Sequence, residues 1–311
     1  MTTTWFGGAV AAGLVLALAC DAEAATRVVF VTHGQQADPY WSVVKNGVDE
    51  AARQLGVTAE YNAPETFDMA RMAQMIDAAV ASRPDGLVVS IPDADALGRS
   101  VKDAVAAGIP VIVIDSGGSA LTRELGGLLY LGQSEYEAGV AAGERMKAQG
   151  ITRATCLNHE VGNTSLDERC QGFADGLGEK VPVLAGVLDP IEMKNRISAD
   201  LAAHPDTEFL LATGVVSAEA ALAALADAGR TGQVKLGTFD LSPAILSAID
   251  AGTIEFGIDA QQYLMGYVPV VMLDLLARYK LQPVADFPTG PGFVTRADAA
   301  SVIDLAKQGI R

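Results

Sequence analysis

Short apolar runs recur along this chain, and most are followed by a segment whose apolar positions return at helical spacing. The runs at 27–32, 57–62, 86–90, 111–114, 128–131, 153–158, 183–188, 208–212, 234–238, 254–258 and 292–295 predict strands. The segments at 39–55, 68–82, 96–107, 135–149, 165–178, 192–203, 217–229, 243–251, 262–280 and 297–308 predict helices. In the second of these, Met69, Met72, Ile76 and Ala79 fall on one stripe and read as core packing. Pro269 sits inside the segment 262–280 and predicts a kink there. Such β-α repetition predicts an α/β fold with parallel sheets covered by helices on both faces and right-handed crossovers. The repeat divides into two similar halves near Gly132-Gln133, each a doubly wound unit.

In doubly wound sheets, ligands bind outside the carboxyl ends of the strands. Here those ends are polar although the strands are apolar: Thr32-His33-Gly34, Ser90 to Asp93 and Asp115 to Gly118 in the first half, then Asn158 to Asn163, Asp189, Thr213-Gly214 and Asp240 in the second. Two such rims facing each other would form a hydrogen-bonding cleft. Asp38 and Pro39 read as the cap and first turn of a helix. The adjacent Tyr40 and Trp41 cannot both face that helix's core stripe, so at least one should project toward the strand ends. Asp115 and Asp240 each follow a strand, where a carboxylate can accept hydroxyl hydrogen bonds; the plainer reading is a turn residue for the first and a cap near Ser242-Pro243 for the second. Arg169 is either half of an ion pair within its helix or a fork of donors for a ligand's oxygens. His33 and His159 occupy corresponding strand ends and are candidates for ligand contact, or ordinary satisfied histidines. Asp93 and Asp95 read as capping the helix that follows.

Residues 6–20 form an uncharged apolar run, shorter than the roughly 20 residues of a membrane span. With Ala22-Glu23-Ala24 behind it, the run reads as the core of an export signal with a small-x-small cleavage site, although no Lys or Arg precedes it. A second reading takes Cys20 as a lipid-modified cysteine. Cleavage after Ala24 would leave residues 25–311, a length that suits two domains. The leader carries Asp21 and Glu23 and no base, so its removal takes the formal net charge from −16 to −14. Such acidity should repel nucleic acid and anionic membrane surfaces. Cys156 and Cys170 remain, either paired in an oxidising compartment or as two buried thiols. No spacing suggests a metal site, and no phosphate-binding, dinucleotide or hydrolase motif follows a strand, so no cofactor is expected.

Taken in order, Asp38-Pro39-Tyr40-Trp41, the stretches 90–97, 108–115 and 168–173, Ala203-His204-Pro205-Asp206 and Gly237-Thr238-Phe239-Asp240 resemble the ribose-type periplasmic sugar-binding proteins of bacterial ABC importers. The resemblance implies the type I periplasmic binding protein fold. In it, two lobes joined by three hinge strands close on a sugar, here 25–132 with 262–290 and 133–261 with 291–311 after a leader at 1–24. It implies ligand contacts from Asp38, Tyr40, Trp41, Asp115, Arg169 and Asp240, and from Gln261 or Gln262 near the second hinge. Three departures stand out: Ser116 where ribose binders carry Arg, Gly214 where they carry Asn, and Leu188 in place of a third pocket aromatic. They point away from ribose, toward another monosaccharide, a sugar alcohol or a sugar-like signal. The implied protein is a non-enzymatic, monomeric solute-binding component in the periplasm that serves an ABC permease in the inner membrane and binds no nucleic acid. A sensor feeding a chemoreceptor or kinase is the first alternative. An exported α/β enzyme using His33 or His159 as a base is the second.

N-terminal sequencing of protein recovered from the periplasm should begin at Ala25; a lipid on Cys20 or an intact Met1 would overturn this reading.

Overall fold

The computed structural model describes residues 1–3, 25–34 and 38–311; the leader's apolar run, its cleavage motif and Cys20 lie outside the described residues. The strands are β1 (Arg27–Val31), β2 (Thr58–Asn62), β3 (Gly86–Val89), β4 (Val111–Ile114), β5 (Leu129–Gly132), β6 (Ala154–Asn158), β7 (Val183–Ala185), β8 (Phe209–Ala212), β9 (Lys235–Phe239), β10 (Phe256–Asp259), β11 (Phe287–Pro288) and β12 (Gly292–Val294). The helices are α1 (Pro39–Leu55), α2 (Met69–Ala81), α3 (Ala94–Ala106), α4 (Gly118–Leu125), α5 (Glu135–Ala148), α6 (Thr164–Leu177), α7 (Pro190–Ala203), α8 (Val215–Asp227), α9 (Pro243–Ala251), α10 (Gln262–Tyr279) and α11 (Arg296–Lys307).

These strands build two six-stranded sheets, ordered β11-β5-β4-β3-β1-β2 and β12-β10-β9-β8-β6-β7. Every pairing is parallel except β10 with β12. In each lobe the strand order reverses beside the lobe's first strand, β1 or β6, which places a crevice at its carboxyl end. β3, β4 and β8 are buried along their whole length, which is why they read as unbroken apolar runs. Side chains alternate between faces: Val28 and Phe30 pack with α1 and α10, while Val29 and Val31 pack with α2 and α3. The stripe Met72, Ile76 and Ala79 is buried in the second of these layers, with Met69 packed against it. The chain passes between the sheets three times, at residues 133–134, 260–261 and 289–291.

Helix starts are fixed at the strand ends. Asp38, Asp93 and Asn163 cap α1, α3 and α6, each side chain accepting a backbone N–H from the first turn. Asp93 therefore plays the capping role its position predicts, whereas Asp95 lies inside the first turn of α3 and is not its cap. Two helix pairs then approach closely through glycine. A Cβ at Gly139 of α5 would collide with the Arg169 carbonyl oxygen, and one at Gly172 of α6 with that of Tyr136. In the first lobe, Gly47 of α1 and Gly266 of α10 stand in the same relation to Tyr263 and Val44.

Two elements escape the sequence pattern. α4 opens on Gly117-Gly118, both at positive φ (116° and 67°), where helix propensity is poor. β11 is two residues long and includes Pro288, which an edge strand tolerates. β7 ends at Ala185, short of the predicted 188.

Cys156 of β6 and Cys170 of α6 form a disulfide, with their Cα atoms 5.7 Å apart. It ties the middle of α6 to the sheet, and both residues are buried. Closing this short loop is worth about 3 kcal/mol. Reductant should lower the melting temperature by several degrees, and alkylation of the unreduced, unfolded protein should label neither cysteine. Two labelled thiols in protein purified from the periplasm would contradict the pairing.

Candidate functional site

The two lobes present the same arrangement at their strand ends. β1, β3 and β4 lead into His33, Ser90 and Asp115; β6, β8 and β9 lead into His159, Thr213 and Asp240. His33 Nδ1 lies 2.8 Å from Ser90 Oγ, and His159 Nδ1 lies 3.1 Å from Thr213 Oγ1. Asp115 and Asp240 both adopt the left-handed conformation, at φ 61° and 68°, a region that Asp enters more readily than most residues. Each aspartate meets a side chain from the helix that follows its lobe's first strand. The Tyr40 hydroxyl of α1 donates to Asp115, and Arg169 Nη1 of α6 lies 3.4 Å from Asp240 Oδ2.

Arg169 is 3 % exposed. Its Nε donates to Glu135 Oε2 at 2.6 Å and its Nη2 to Glu135 Oε1 at 3.1 Å, a bidentate pair between α6 and α5. Nη1 also donates to the Thr213 carbonyl at 2.6 Å, and the guanidinium stands 4.4 Å from the centre of the Phe239 ring. Burial pulls the Arg169 pKa down, but Glu135 and Asp240 outweigh it, so the charge is retained. Burial pushes Glu135 up while Arg169 pulls it back. Burial likewise takes Asp240 up to about 8 against the pull of Arg169, and Asp38 up to about 6. His159 falls to about 3, chiefly through burial and then through the nearby Arg169 charge, so it is neutral. Tyr40, raised first by burial and then by Asp115, remains a phenol donor.

The rims touch across the mouth of the cleft. Asn163 Nδ2 lies 3.3 Å from His33 Nε2, and Glu160 Oε2 lies 3.6 Å from the same nitrogen. The Thr164 N–H and hydroxyl both donate to the Pro92 carbonyl, at 3.1 and 2.9 Å. Trp41 stands edge-on to His33 at 4.8 Å between ring centres and to Tyr40 at 5.2 Å. A side chain at Gly34 would run into the indole, so glycine is what lets the ring lie against β1's exit. The cleft between the rims has a volume of about 40 Å³, with aromatics on the first lobe's wall and Leu166, Val215 and Val216 on the second's.

Asp38, Tyr40, Trp41, Asp115, Arg169, Asp240, His33 and His159 all line this one cleft. Both aromatics of the Tyr40-Trp41 pair line it, and both are also buried in the layer that α1 and α10 form on the first sheet, so the expectation that they could not share the core side does not hold. Gln262 lies just behind, buried, with its Nε2 3.4 Å from Asp240 Oδ1. Gln261 points elsewhere: its side-chain amide donates to the Thr289 carbonyl at a chain crossing, and it is not part of the lining. Arg169 does not form the ion pair within its own helix; its partners come from α5 and the end of β9. Glu160 and Asn163 fall within the polar rim 158–163 that the sequence marks, whereas Glu135 lies outside every marked stretch. Glu135 follows the cap Ser134 and reads as an ordinary first-turn acid, and only the pairing of α5 with α6 brings it to Arg169.

The model for the periplasmic binding protein domain matches residues 28–281. The chain is 26% identical over 290 residues to the xylose/arabinose-binding protein XylF of Sulfolobus acidocaldarius, spanning 88% of this chain and 71% of that one. It is 30% identical over 200 residues to a D-ribose/D-allose-binding protein of Pseudomonas aeruginosa, covering 60% of this chain and 61% of the other. Among solved structures, a carbohydrate transporter from Acidothermus cellulolyticus, in complex with myo-inositol, is 32% identical, with a TM-score of 0.87 over 92% of this chain and all of that one.

Arg169→Met should destabilise the fold as well as the cleft, because it leaves Glu135 buried beside no cation. A loss of about 3–5 kcal/mol is expected in urea unfolding. The double variant Arg169→Met/Glu135→Gln should recover part of it. A single variant as stable as the parent would show that the pair is not structurally coupled.

Proposed function

The chain belongs to the family of periplasmic binding proteins, and from that footing we propose that it is the solute-binding component of an ABC importer for a monosaccharide or cyclitol. In this reading it is exported, works as a monomer, and hands its ligand to a permease in the inner membrane. The observation that supports the reading best is the pair of matched rims. Each lobe brings one strand-end aspartate, one histidine and one helix-borne partner to a shared cleft.

The chemistry follows from that pairing. Opening about the three chain crossings exposes both rims to water, and closure brings them together around a ligand. Tyr40 and Trp41 offer ring faces and edges to the apolar C–H surface of a sugar or cyclitol. Asp115, Asp240 and Arg169 offer acceptors and donors to its hydroxyls. A ligand lacking one of the matched hydroxyls leaves a buried group unpaired, at about 1–3 kcal/mol each. The myo-inositol held by the relative of 32% identity puts cyclitols beside aldoses as first candidates.

A thermal-shift screen of monosaccharides and cyclitols, followed by calorimetry, should find a ligand bound at about micromolar strength, near −8 kcal/mol. Trp41 is the only indole outside the leader, so its emission should change saturably with that ligand and with no unrelated solute. Trp41→Leu should cost about 1–3 kcal/mol of affinity. A ligand proven by calorimetry that leaves both emission and Trp41→Leu affinity unmoved would remove Trp41 from the site.

A further inference from the structure

Acidic side chains outnumber basic ones in the cleft lining. Asp38, Asp115, Asp240 and Glu160 face it against one guanidinium, and among the described residues no lysine lines it. Arg169 is shared, and its closest contacts lie outside the cleft acids. Both oxygens of Glu135 grip it from behind, and the Thr213 carbonyl takes a third donor. His159 is neutral and adds no cation.

The four carboxyl groups are also unequally held. Asp115 accepts from the Tyr40 hydroxyl on one oxygen and from Ser116 Oγ at 2.7 Å on the other. Asp240 is 5 % exposed yet has only two long side-chain contacts, Arg169 Nη1 and Gln262 Nε2, each at 3.4 Å. The other end of that Gln262 amide, Oε1, is buried with no hydrogen-bond partner among the described residues. This corner of the cleft is thus rich in acceptors and short of donors, and a buried carboxylate without a full set of donors is costly. A ligand that carries its own cation would supply them.

Resting on the reading of the cleft as a polyol site, we propose that its preferred ligand is a cationic polyol, an amino sugar or aminocyclitol whose ammonium meets Asp240, and that sugar acids and phosphate esters are excluded. Burial takes Asp240 up to about 8, so at pH 7 it is largely protonated before a ligand binds. An ammonium brings three donors and a charge that stabilises the carboxylate, and the amine therefore binds with release of the Asp240 proton. A uronate or phosphate would instead bring a like charge into a water-poor space.

The test is calorimetry at pH 7 with the full chain and matched sets: myo-inositol, scyllo-inosamine and myo-inositol 1-phosphate; D-glucose, D-glucosamine and D-glucuronate; D-galactose, D-galactosamine and D-galacturonate. At least one amine should bind about tenfold or more tighter than its neutral parent, and the anions should give no heat of binding. Neutral members that bind as well as or better than every amine, or an anion that binds alongside them, would overturn the charge preference and leave the polyol reading standing. Silence from every set would overturn the polyol reading, and the charge preference with it.

Discussion

A guanidinium sealed from water must be met by carboxylate, and the second lobe is arranged to satisfy that condition at Arg169. The partner is Glu135, the first residue of the helix that crosses α6. That crossing is close because glycine faces backbone on both helices, Gly139 and Gly143 on one and Gly172 and Gly176 on the other. Had either helix carried side chains there, α5 and α6 would stand further apart and the bidentate contact would open. The disulfide from Cys170 to β6 fixes the same helix one residue beyond Arg169. Packing, cross-link and ion pair therefore act on one short segment, and that segment holds the cleft's only guanidinium among the described residues.

The first lobe solves the matching problem with a neutral group. Tyr40 donates to Asp115 where Arg169 reaches toward Asp240, and α1 packs on α10 through Gly47 and Gly266 as α5 packs on α6. The likeness extends to the histidines, each anchored through Nδ1 to the hydroxyl at the end of the neighbouring strand. Two copies of one plan thus face each other with different electrostatics. The first lobe contributes aromatic surface and a phenol. The second contributes a fixed positive charge, its counter-ion and aliphatic surface.

Much of this was legible in the chain, for identifiable reasons. Strands such as Gly86–Val89 and Val111–Ile114 are buried on both faces, so composition alone marks them. The candidate cleft was legible because ligands bind outside the strand ends of doubly wound sheets, and His33, Asp115, His159 and Asp240 all stand at such ends and line one cleft. What stayed hidden depends on distant packing. Glu135 becomes part of the Arg169 network only through a helix crossing that no local pattern encodes. Asn163 falls in the polar rim, but nothing local shows that it both caps α6 and reaches His33 of the other lobe with its amide. Gln261 and Gln262 are adjacent and chemically identical; the left-handed turn at Gln261 sends one to the crossing at Thr289 and leaves the other behind Asp240.

That left-handed geometry bears on how such a cleft can change over evolutionary time. Asp115 and Asp240 sit at φ 61° and 68°, where a bulky or β-branched replacement is strained before any ligand is considered. Asparagine and glycine are the replacements the backbone accepts most easily. The two positions are thus confined to a small alphabet by the main chain, whichever solute is bound. Divergence toward new solutes has an easier path through neighbours such as Ser116, Val215 and Val216, whose backbones impose no such restriction. The aspartates behave as a fixed frame, and the variable lettering of a solute code would be written around them.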